Sequence, residues 1–534
     1  MAFFTSLAAR LSYPAAGENG GEIMTIQNME LKLSAGWQTL ERGEGCWQYA
    51  DIQVFAADGG AVTLRGATTP VLALRLTLDP VAAEDSLVLG DAWERGYGDL
   101  GWAAPDADRR LPWYFFAWQG QTLFCRGVMT RPNALCFWNF DGRTPVLTMD
   151  LRCGTEPLTL GGRTLEVCRV VAEEKTGDLH QACADFCARL CPDPRMPAGP
   201  IFGGNDWYCN YGCNSAEKIR THARRIARCA EGTGIAPYMV IDDGWQLCHS
   251  QLPGQDYNGG PWRFANDNFG DMKALAADIR ALGVIPGIWI RPLQTREKLP
   301  EDCRLTCGRG DYPLDPSVPQ VLEYLRREIR TIVEWGYRLI KFDFSCADVF
   351  GKWGFQMEDD LYLPPVLFHD RTRTTAQILK DFYAALREAA GEDVLLMGCN
   401  TVGHLAAGIV DIQRTGDDTS GRDWGRTKKY GVNTLAFRMM QHGTFFRVDA
   451  DCVGITREIG WEKNRQWLDV LAKSGTPLFV SIGEDAFTPQ VEDGIRQAFR
   501  HAAAARQVSR PLDWQQTLTP EVWESDFGTH RYSW

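Results

Sequence analysis

The spacing of the hydrophobic positions changes part-way along the chain. From about residue 30 to 175, hydrophobic and polar residues alternate in short runs separated by turn residues, as between residues 61 and 80. This period of two is typical of strands that bury one face. Gly161 and Gly162 stand between two such runs, which favours a two-residue hairpin. We therefore predict an all-β sandwich for this part of the chain.

Two features of this first part have more than one interpretation. The aromatic-rich segments 111–120 and 134–140 are expected in the sandwich core, and the alternative is that they face the active site of a neighbouring domain. In the helical segment that follows, Cys183, Cys187 and Cys191 recur every four residues. Zinc sites use more closely spaced cysteine pairs and free cysteine is commonly buried, so we expect packing rather than metal binding.

From about residue 200 the pattern becomes strand, loop and helix in repetition. The predicted strands cover residues 200–208, 237–245, 284–292, 337–345, 394–400, 410–416, 444–452 and 477–485. Amphipathic helices lie between most of them, each ending near a glycine suited to a helix C-terminus. Eight such strands predict a (β/α)8 TIM barrel. An open doubly wound sheet is the rival, but no glycine-rich nucleotide-binding motif follows the first strand.

The predicted organisation is thus an α/β chain of two domains and a tail. Residues 1–195 form the sandwich with its linker helix, residues 196–507 the catalytic barrel, and residues 508–534 a short C-terminal tail. A proline-rich segment at 192–200 separates the two domains. Met24 is expected to be the true first residue of the protein.

Composition narrows the classes of partner and location. The 534 residues include 56 Lys and Arg against 68 Asp and Glu, a net charge of −12. Nucleic acids and anionic membranes attract clustered cations, so neither is an expected partner. Seventeen scattered cysteines do not resemble a disulfide framework, and the N-terminus lacks the basic start of a signal peptide. We therefore expect a cytoplasmic protein with reduced thiols.

Nearly every predicted barrel strand ends in polar or aromatic side chains. They are Asn205, Asp206, Trp207, Asp242, Asp243, Trp245, Trp289, Arg291, Lys341, Asp343, Cys399, Asn400, Arg414, Asp417, Asp449 and Asp451. The active sites of TIM barrels lie at these strand ends. Carboxylates and cations bond to hydroxyl groups, and flat aromatic rings suit the apolar face of a pyranose. We therefore expect a sugar site, and no metal or cofactor, because histidines are sparse and Lys341 lies beside the carboxylates.

Four motifs resemble those of a known enzyme family. They are YMVIDDGWQ at 238–246, FGDMKALAADIRALGVIPGIWIRP at 269–292, LIKFDFS at 339–345 and RTGDD at 414–418. In content and order they are similar to those of the retaining α-galactosidases of glycoside hydrolase families 27 and 36, within them the melibiase group of family 36. The resemblance covers the barrel and is weaker for the sandwich. It implies an exo-acting hydrolase of α-galactoside oligosaccharides or glycoconjugates.

The resemblance also implies roles for individual residues. Asp343 matches the nucleophile that forms a covalent β-galactosyl intermediate, and Asp417 matches the general acid/base, with Asp418 as the adjacent alternative. The implied substrate-binding residues are Trp207, Asp242, Asp243, Trp289, Lys341, Cys399, Arg414 and Asp451. A retaining glycosidase needs one ionised and one protonated carboxyl group about 5 to 5.5 Å apart. Lys341 is expected to keep Asp343 ionised, and Asp417, among other carboxylates, to hold a proton.

Two departures from the family pattern leave part of the function open. Residues 398–404 read GCNTVGH where the family has a glycine-rich stretch near C2 of the sugar, so N-acetylgalactosamine and galactosamine are alternatives to galactose. The tail at 508–534 stands where a C-terminal β-domain would begin, and we expect that domain to be rudimentary or missing. A galactosyl transferase of the same clan and, more distantly, a non-catalytic carbohydrate-binding protein are further alternatives. The resemblance is also compatible with a homo-oligomer.

Overall fold

The computed structural model of the protein describes residues 25–251 and 257–534. Within these residues, antiparallel sheets form the first part of the chain, and a parallel sheet surrounded by helices forms the second. The predicted fold class, a TIM barrel preceded by an all-β sandwich, is confirmed. The predicted first residue, Met24, lies outside the described residues, and the predicted domain boundaries stay predictions.

The sandwich consists of two antiparallel sheets that face each other. Its strands are β1 (Ile26–Leu33), β2 (Gly36–Thr39), β3 (Glu41–Arg42), β4 (Trp47–Tyr49), β5 (Ile52–Ala56), β6 (Ala61–Arg65), β7 (Ala73–Leu78), β8 (Leu87–Gly90), β9 (Asp106–Pro112), β10 (Tyr114–Gln119), β11 (Thr122–Val128), β12 (Leu135–Phe140), β13 (Pro145–Asp150) and β14 (Thr164–Thr176). One sheet has the order β2-β1-β7-β13-β12-β9 and the other β3-β4-β5-β6-β14-β11-β10-β8. Phe115 in the second sheet packs against Trp138 and Phe140 in the first, with ring centroids 5.7 and 5.0 Å away. The aromatic-rich segments therefore contribute to the sandwich core, as predicted.

The predicted glycine turn is present, but the predicted hairpin is not. Gly161 and Gly162 both have positive φ, 61° and 86°, a conformation that glycine adopts without strain. The two flanks do not pair with each other. Leu158 bridges to Val71, whereas β14 pairs with β6 and β11. The hairpin prediction is wrong because the turn carries the chain from one sheet to the other, where each flank finds a different partner.

The linker helix α1 (Leu179–Leu190) forms where the sequence predicts it. The Asp178 side chain accepts a hydrogen bond from the backbone N–H of Gln181 at 2.9 Å and caps its first turn. Cys183, Cys187 and Cys191 are buried free thiols. The prediction that they pack rather than bind metal is consistent with this burial.

The barrel strands run parallel. All eight predicted strands are found with narrower bounds, and a ninth, β22, follows the seventh. They are β15 (Phe202–Asn205), β16 (Tyr238–Ile241), β17 (Ile285–Ile290), β18 (Leu339–Phe342), β19 (Leu395–Gly398), β20 (Ile412–Arg414), β21 (Arg447–Asp449), β22 (Val453–Ile455) and β23 (Leu478–Ile482). The seventh barrel position is divided, since β21 pairs with β20 whereas β22 pairs with β23. Pairing of β23 with β15 closes the barrel. Asp451, in the break, has a φ of 77°.

Helices follow the barrel strands along the chain. They are α2 (Trp207–Asn210), α3 (Ala216–Ala230), α4 (Met272–Ala281), α5 (Pro319–Trp335), α6 (Ser345–Phe350), α7 (Thr375–Ala390), α8 (Gly403–Ala406), α9 (Trp424–Arg426), α10 (Thr434–Arg438), α11 (Trp461–Ser474) and α12 (Pro489–Ala504). The helix α5 ends at Gly336, whose φ of 103° favours glycine. None of the helices among the described residues is long and apolar enough to cross a membrane.

The C-terminal tail forms a small antiparallel sheet of β24 (Arg510–Pro511), β25 (Val522–Ser525) and β26 (Gly528–Arg531). Trp514 packs against Trp102 of the sandwich and Phe437 of the barrel, at centroid distances of 5.3 and 5.8 Å. Trp534 packs against Trp467 of α11 at 6.4 Å. The tail therefore contacts both larger parts of the molecule.

A sandwich loop reaches the end of the barrel where the strands terminate. This β8–β9 loop, residues 91–105, pairs with the segment after β20: the Gly96 N–H donates to the Thr415 carbonyl at 2.8 Å, and the Asp417 N–H donates to the Gly96 carbonyl at 3.2 Å. Asp91 also forms an ion pair with Arg438 of α10 at 2.8 Å. The sandwich thus contributes to the barrel mouth.

Candidate active site

The polar side chains predicted at the strand ends meet at one end of the barrel. Three contacts link side chains from different strands. Lys341 of β18 lies 2.8 Å from Asp242 after β16, and Arg414 of β20 lies 2.6 Å from Asp451 beyond β21. The Trp289 indole N–H of β17 donates to Asp343 at 3.3 Å. These contacts define a buried, charged barrel mouth.

Asp242 forms a buried ion pair with Lys341. Its Oδ2 atom accepts from Lys341 Nζ at 2.8 Å and from the Asn205 amide at 2.6 Å. Burial alone lowers the pKa of Lys341, but the negative charge of Asp242, with smaller contributions from Cys399 and Asp343, raises that pKa well above its ordinary value. The ammonium therefore stays charged inside the barrel.

Asp243 has a different environment from its neighbour. Its two oxygens accept hydrogen bonds from the side-chain amides of Gln246 and Asn258, each at 2.6 Å. Burial raises the pKa of Asp243 to about 7, and the negative charges of Asp242 and Asp343 add to this effect. Neutral donors hold this carboxyl group, so it is poised between its two protonation states near neutral pH.

Asp343 lies at the end of β18 with a hydrogen bond to each oxygen. Oδ1 accepts from the backbone N–H of Phe344 at 2.7 Å and Oδ2 from Trp289 Nε1 at 3.3 Å. Phe344 has a φ of 62°, uncommon for a residue with a Cβ. Burial by itself raises the pKa of Asp343, but the positive charges of Arg95, Lys341 and Arg414 and the hydrogen bond from Phe344 together hold that pKa below its ordinary value. Asp343 is therefore ionised at neutral pH.

Arg414 joins three carboxylates on the opposite side of the mouth. Its guanidinium lies 3.1 Å from Asp449, 2.6 Å from Asp451 and 3.2 Å from Asp418. The Tyr208 hydroxyl donates to the second oxygen of Asp451. These contacts fix the segment on each side of the break between β21 and β22.

Asp417 and Asp418 are more exposed than the other carboxylates, with 24% and 39% of their side chains accessible. Arg95 contacts Oδ1 of Asp417 at 3.1 Å and Arg426 contacts Oδ2 at 3.3 Å. Asp418 is held through Oδ1 by Arg414 at 3.2 Å. Although 39% of its side chain is accessible, partial desolvation in the mouth raises the pKa of Asp418 above its ordinary value; the positive charge of Arg414 opposes the shift and the negative charge of Asp451 adds to it. Asp418 therefore keeps a proton more readily than an ordinary aspartate.

Cys399 and Trp207 occupy two further sides of the mouth. Cys399 is buried, 4.0 Å from Arg95 Nη1, and burial raises the pKa of its thiol well above the ordinary value, with the charge of Asp343 adding to it. The Trp207 backbone N–H donates to Asn205 at 2.9 Å, and its ring packs on Tyr211 at 5.5 Å. The Cys399 thiol is thus an uncharged part of the wall of the mouth. Trp207 lies beside the Asn205 amide, which holds Asp242.

The fold of the chain is similar to that of solved α-galactosidase structures. No protein-family model matches the sequence. In structure, the chain is similar to an α-galactosidase from Thermus thermophilus in complex with p-nitrophenyl α-D-galactopyranoside, with 19% identity, coverage of 95% of this chain and 99% of that chain, and a TM-score of 0.59. It has the fold of the α-galactosidases. A GH36 α-galactosidase variant from Geobacillus stearothermophilus in complex with stachyose matches with 15% identity, coverage of 92% and 77%, and a TM-score of 0.56.

A third structure gives the same result. The α-galactosidase from Lactobacillus brevis matches with 13% identity, coverage of 89% of this chain and 72% of that chain, and a TM-score of 0.52. At such identities the similarity establishes the α-galactosidase fold alone, because one fold hosts many activities. The activity therefore depends on the residues of the mouth rather than on the fold.

The carboxylates of this α-galactosidase fold pair with cations of the chain. In the described part of the chain, no group of three or more His, Cys, Asp or Glu side chains is arranged to hold a metal ion.

A cavity of about 360 Å³ lies at the opposite end of the barrel, where Ile201, His442 and Arg447 are among its lining residues. We assign the site to the mouth, because the carboxylates with shifted pKa values lie there.

Two residues of the mouth, Glu94 and Arg95, were not predicted from the sequence. Both lie in the β8–β9 loop, and the Glu94 carboxylate accepts hydrogen bonds from Asn400 and from the backbone N–H of Gly354, the latter at 2.9 Å. The signal that could have revealed them is a charged pair between Trp93 and glycine in an otherwise alternating sandwich sequence. The aromatic segments nearby, in contrast, belong to the sandwich core.

Proposed function

We propose that the protein is an exo-acting retaining α-galactosidase with Asp343 as nucleophile and Asp418 as general acid/base. The observation that carries the proposal is the different anchoring of these two carboxyl groups within one barrel mouth: Asp343 is buried and fixed by Phe344 and Trp289, whereas Asp418 is held through one oxygen and is 39% exposed. The directions of their pKa shifts agree with these roles, since the pKa of Asp343 is lowered and that of Asp418 is raised. Retaining glycosidases need one ionised and one protonated carboxyl group. The α-galactosidase fold around the mouth supports the choice of sugar.

The first step uses Asp343. An Asp343 oxygen attacks the anomeric carbon and forms a β-galactosyl ester as the bond to the leaving oxygen breaks. Phe344 and Trp289 hold the carboxylate by hydrogen bonds at 2.7 and 3.3 Å, so its orientation is set before the sugar arrives. In the second step, water replaces Asp343 at the same carbon and restores the α configuration.

The acid/base role was expected at Asp417, and its surroundings favour Asp418 instead. Each oxygen of Asp417 has an arginine as partner, at 3.1 and 3.3 Å, which leaves neither free to carry a proton to a leaving group. Asp418 is held through one oxygen and remains 39% exposed to the mouth. It donates a proton to the leaving oxygen in the first step and takes one from water in the second.

The remaining residues of the mouth suit the hydroxyl groups of galactose. Asp242 and Asp243 offer acceptors, and Lys341 and Arg414 offer donors, all already oriented by contacts with one another. Trp289 supplies a flat apolar wall. The similar structures hold p-nitrophenyl α-D-galactopyranoside and stachyose, which makes aryl α-galactosides and raffinose-type oligosaccharides the substrates of choice for a test.

The test is turnover of a panel of nitrophenyl α-glycosides bearing galactose, N-acetylgalactosamine, galactosamine or glucose. We expect the galactoside to be hydrolysed, with the α anomer as first product by proton NMR. Asp343→Asn should lose at least about 10³-fold in kcat, since the nucleophile is gone. Asp485→Asn, which alters a side chain that is 61% exposed, is the control and should leave kcat unchanged. No turnover of any glycoside, or normal turnover by Asp343→Asn, would overturn the proposal.

The same panel separates the alternatives. Preference for N-acetylgalactosamine or galactosamine would identify the C2 substituent that the residues near Cys399 accommodate. A galactosyl transferase would form a longer oligosaccharide when raffinose or sucrose is added as acceptor. A carbohydrate-binding protein without catalysis would bind galactose and release no nitrophenol.

A further inference from the structure

The cavity opposite the mouth, here called the lower cavity, lies where the barrel strands begin. Ile201 precedes β15, Pro477 precedes β23 and Arg447 is the first residue of β21, and all three line the cavity. Its volume is about 360 Å³. Pockets that hold small ligands measure about 300 to 1,000 Å³. The lower cavity is therefore large enough for a small molecule.

The wall of the lower cavity carries positive charge without negative charge. Among the described residues that line it, Arg447 and Arg506 are cations, and none is Asp or Glu. No carboxylate oxygen in residues 25–251 and 257–534 lies within 4.0 Å of either guanidinium. The whole chain has a net charge of −12, so this pair of arginines without an acid is a local exception.

The carboxylate next to Arg447 has other partners. The backbone carbonyl of Asp411 accepts the Arg447 N–H at 3.0 Å. The carboxylate of Asp411 is held instead by Arg195 at 2.7 Å and by Arg387. Burial lowers the pKa of Arg447, as expected for a cation without a carboxylate beside it. The charge of Arg447 is thus unbalanced within the described chain.

Arg506 is bound only to neutral groups. Its Nη1 atom donates to the carbonyls of Ala503 and Ala505 at 3.0 and 3.1 Å, where α12 ends. The Asp526 carboxylate accepts from the backbone N–H groups of Arg506 and Gln507 at 2.6 and 2.8 Å. It does not line the cavity. The exposed Arg506 side chain therefore adds a second positive charge to the same wall.

His442 does not satisfy Arg447, although its Nε2 atom lies 3.1 Å from Arg447 Nη1. Burial lowers the pKa of His442 to about 3, so the ring is neutral and has one acceptor nitrogen. The Val448 N–H donates to Nδ1 at 3.2 Å, which makes Nδ1 that acceptor. Nε2 then carries the proton, and two donors face each other. An acceptor supplied from outside would satisfy both.

Apolar side chains form much of the remaining wall. Ile201, Pro477 and Ala502 are buried, and Val508 beside them is 39% exposed. A ligand with an apolar part would cover these side chains and gain from their burial. The wall therefore suits a molecule that is charged at one end and apolar at the other.

We propose that the lower cavity is a second binding site, whose ligand is a small molecule with one carboxylate or phosphate group and an apolar body. The guanidinium groups of Arg447 and Arg506 bind the anionic oxygens by charge-assisted hydrogen bonds, and the apolar wall packs on the rest. The site is separate from the mouth, so it does not depend on which glycoside the mouth hydrolyses.

The test is calorimetric titration of the full chain with phenyl phosphate, benzoate, benzyl alcohol and inorganic phosphate. At least one of the first two should bind with a stoichiometry of about one, and which of them binds distinguishes a phosphate from a carboxylate ligand. Benzyl alcohol lacks the charge and inorganic phosphate lacks the apolar body, so both should bind more weakly. Failure of both phenyl phosphate and benzoate to bind, or equal affinity for benzyl alcohol or inorganic phosphate, would overturn the proposal.

Variants locate the binding. Arg447→Met should weaken the better probe by about tenfold or more, the usual effect of losing a hydrogen bond to a charged group. Arg506→Met, at an exposed position, should weaken it by about threefold. The control is Arg280→Met, since Arg280 donates to the Gly336 carbonyl at 2.9 Å near the start of β18 and does not line the cavity. Equal losses in Arg280→Met and Arg447→Met would mean that the probe binds elsewhere.

A second measurement tests the unbalanced charge without any ligand. Arg447→Met removes a partly buried cation that has no carboxylate, so it should leave the urea midpoint unchanged or raise it. Arg387→Met removes contacts with Asp411 and with the carbonyls of Gly391 and Val394, both at 2.8 Å, and should lower the midpoint. An equal fall in both variants would show that Arg447 is already balanced within the protein, which would overturn the inference.

Discussion

Asp242-Asp243 and Asp417-Asp418 are identical dipeptides that follow two strands of one barrel, β16 and β20. Asp242 and Asp243 are 3% and 6% exposed, and their partners are one lysine and several side-chain amides. Asp417 and Asp418 have side chains that are 24% and 39% exposed, and arginines contact them from the barrel and from the sandwich. The first pair lies at the base of the mouth and the second at its edge.

The difference shows that the surroundings, rather than the residue type, decide what a carboxyl group does. A buried carboxyl group that fixed donors hold is already oriented to contact sugar hydroxyls. A carboxyl group at the edge can meet both a leaving oxygen and water. We therefore expect the first pair to govern stability and binding and the second to govern proton transfer.

The largest expected effect separates the two members of the edge pair. Asp418→Asn should lower kcat for raffinose by about 10²- to 10⁴-fold, the usual contribution of general acid–base catalysis. The loss should be smaller for nitrophenyl α-galactoside, whose leaving group needs less protonation. Asp417→Asn should cost less than about tenfold on both substrates. Steady-state kinetics on the two substrates checks this, and the reverse order would return the acid/base role to Asp417.

The second effect concerns the stability that the base pair provides. Asp242→Asn leaves the Lys341 ammonium buried beside a neutral amide, which should lower the free energy of unfolding by about 3 to 5 kcal/mol. The matched control is Asp278→Asn, which breaks an ion pair with Arg220 of the same 2.8 Å length but with side chains 49% and 38% exposed. That change should cost no more than about 1 kcal/mol. Equal losses in urea unfolding would mean that burial does not distinguish the two ion pairs.

Much of the base of the mouth could be predicted from the sequence, because each strand carries its own polar end. Asp242 and Asp343 directly follow apolar strands, Lys341 lies near the end of β18, and parallel strands bring such ends together. The break between β21 and β22 could not be predicted in the same way. The run 444–452 is predicted as one strand, but it contains only β21; β22 begins beyond it, at Val453, and pairs with β23, whereas β21 pairs with β20.

The edge of the mouth depends on contacts between distant parts of the chain. Arg95 and Cys399 are 304 positions apart in sequence, and only the docking of the sandwich on the barrel brings them together. The distinction between Asp417 and Asp418 likewise depends on which arginine meets which oxygen. Local sequence patterns hold no information about such contacts, so the acid/base role could be narrowed to two residues and no further.

The third effect is a dependence of folding stability on pH that Asp243, at the base of the mouth, causes. The pKa of Asp243 is raised to about 7 in the folded state, against about 3.9 for an unfolded aspartate. Between these values the folded state holds a proton that the unfolded state has lost, so Asp243 makes stability fall as pH rises from about 4 to 7. Asp243→Asn should remove about 2 kcal/mol of this fall between pH 5 and 7, measured by urea unfolding. An identical pH dependence in wild type and Asp243→Asn would contradict the assignment.

The smallest effect tests whether the edge of the mouth is open to solvent. Arg426 is 40% exposed and contacts Asp417 at 3.3 Å, opposite the buried Arg95. An exposed ion pair contributes about 0 to 1 kcal/mol and is screened by salt, so Arg426→Met should change kcat/KM by less than about fivefold. In kinetics at about 0.05 and about 1 M NaCl, where the Debye length falls from roughly 14 to roughly 3 Å, wild type and variant should become more alike at high salt. A loss of 10² or more in Arg426→Met, unchanged by salt, would mean that both arginines of Asp417 act in a shielded site. The edge pair would then resemble the base pair, and solvent exposure could not be the reason for their different roles.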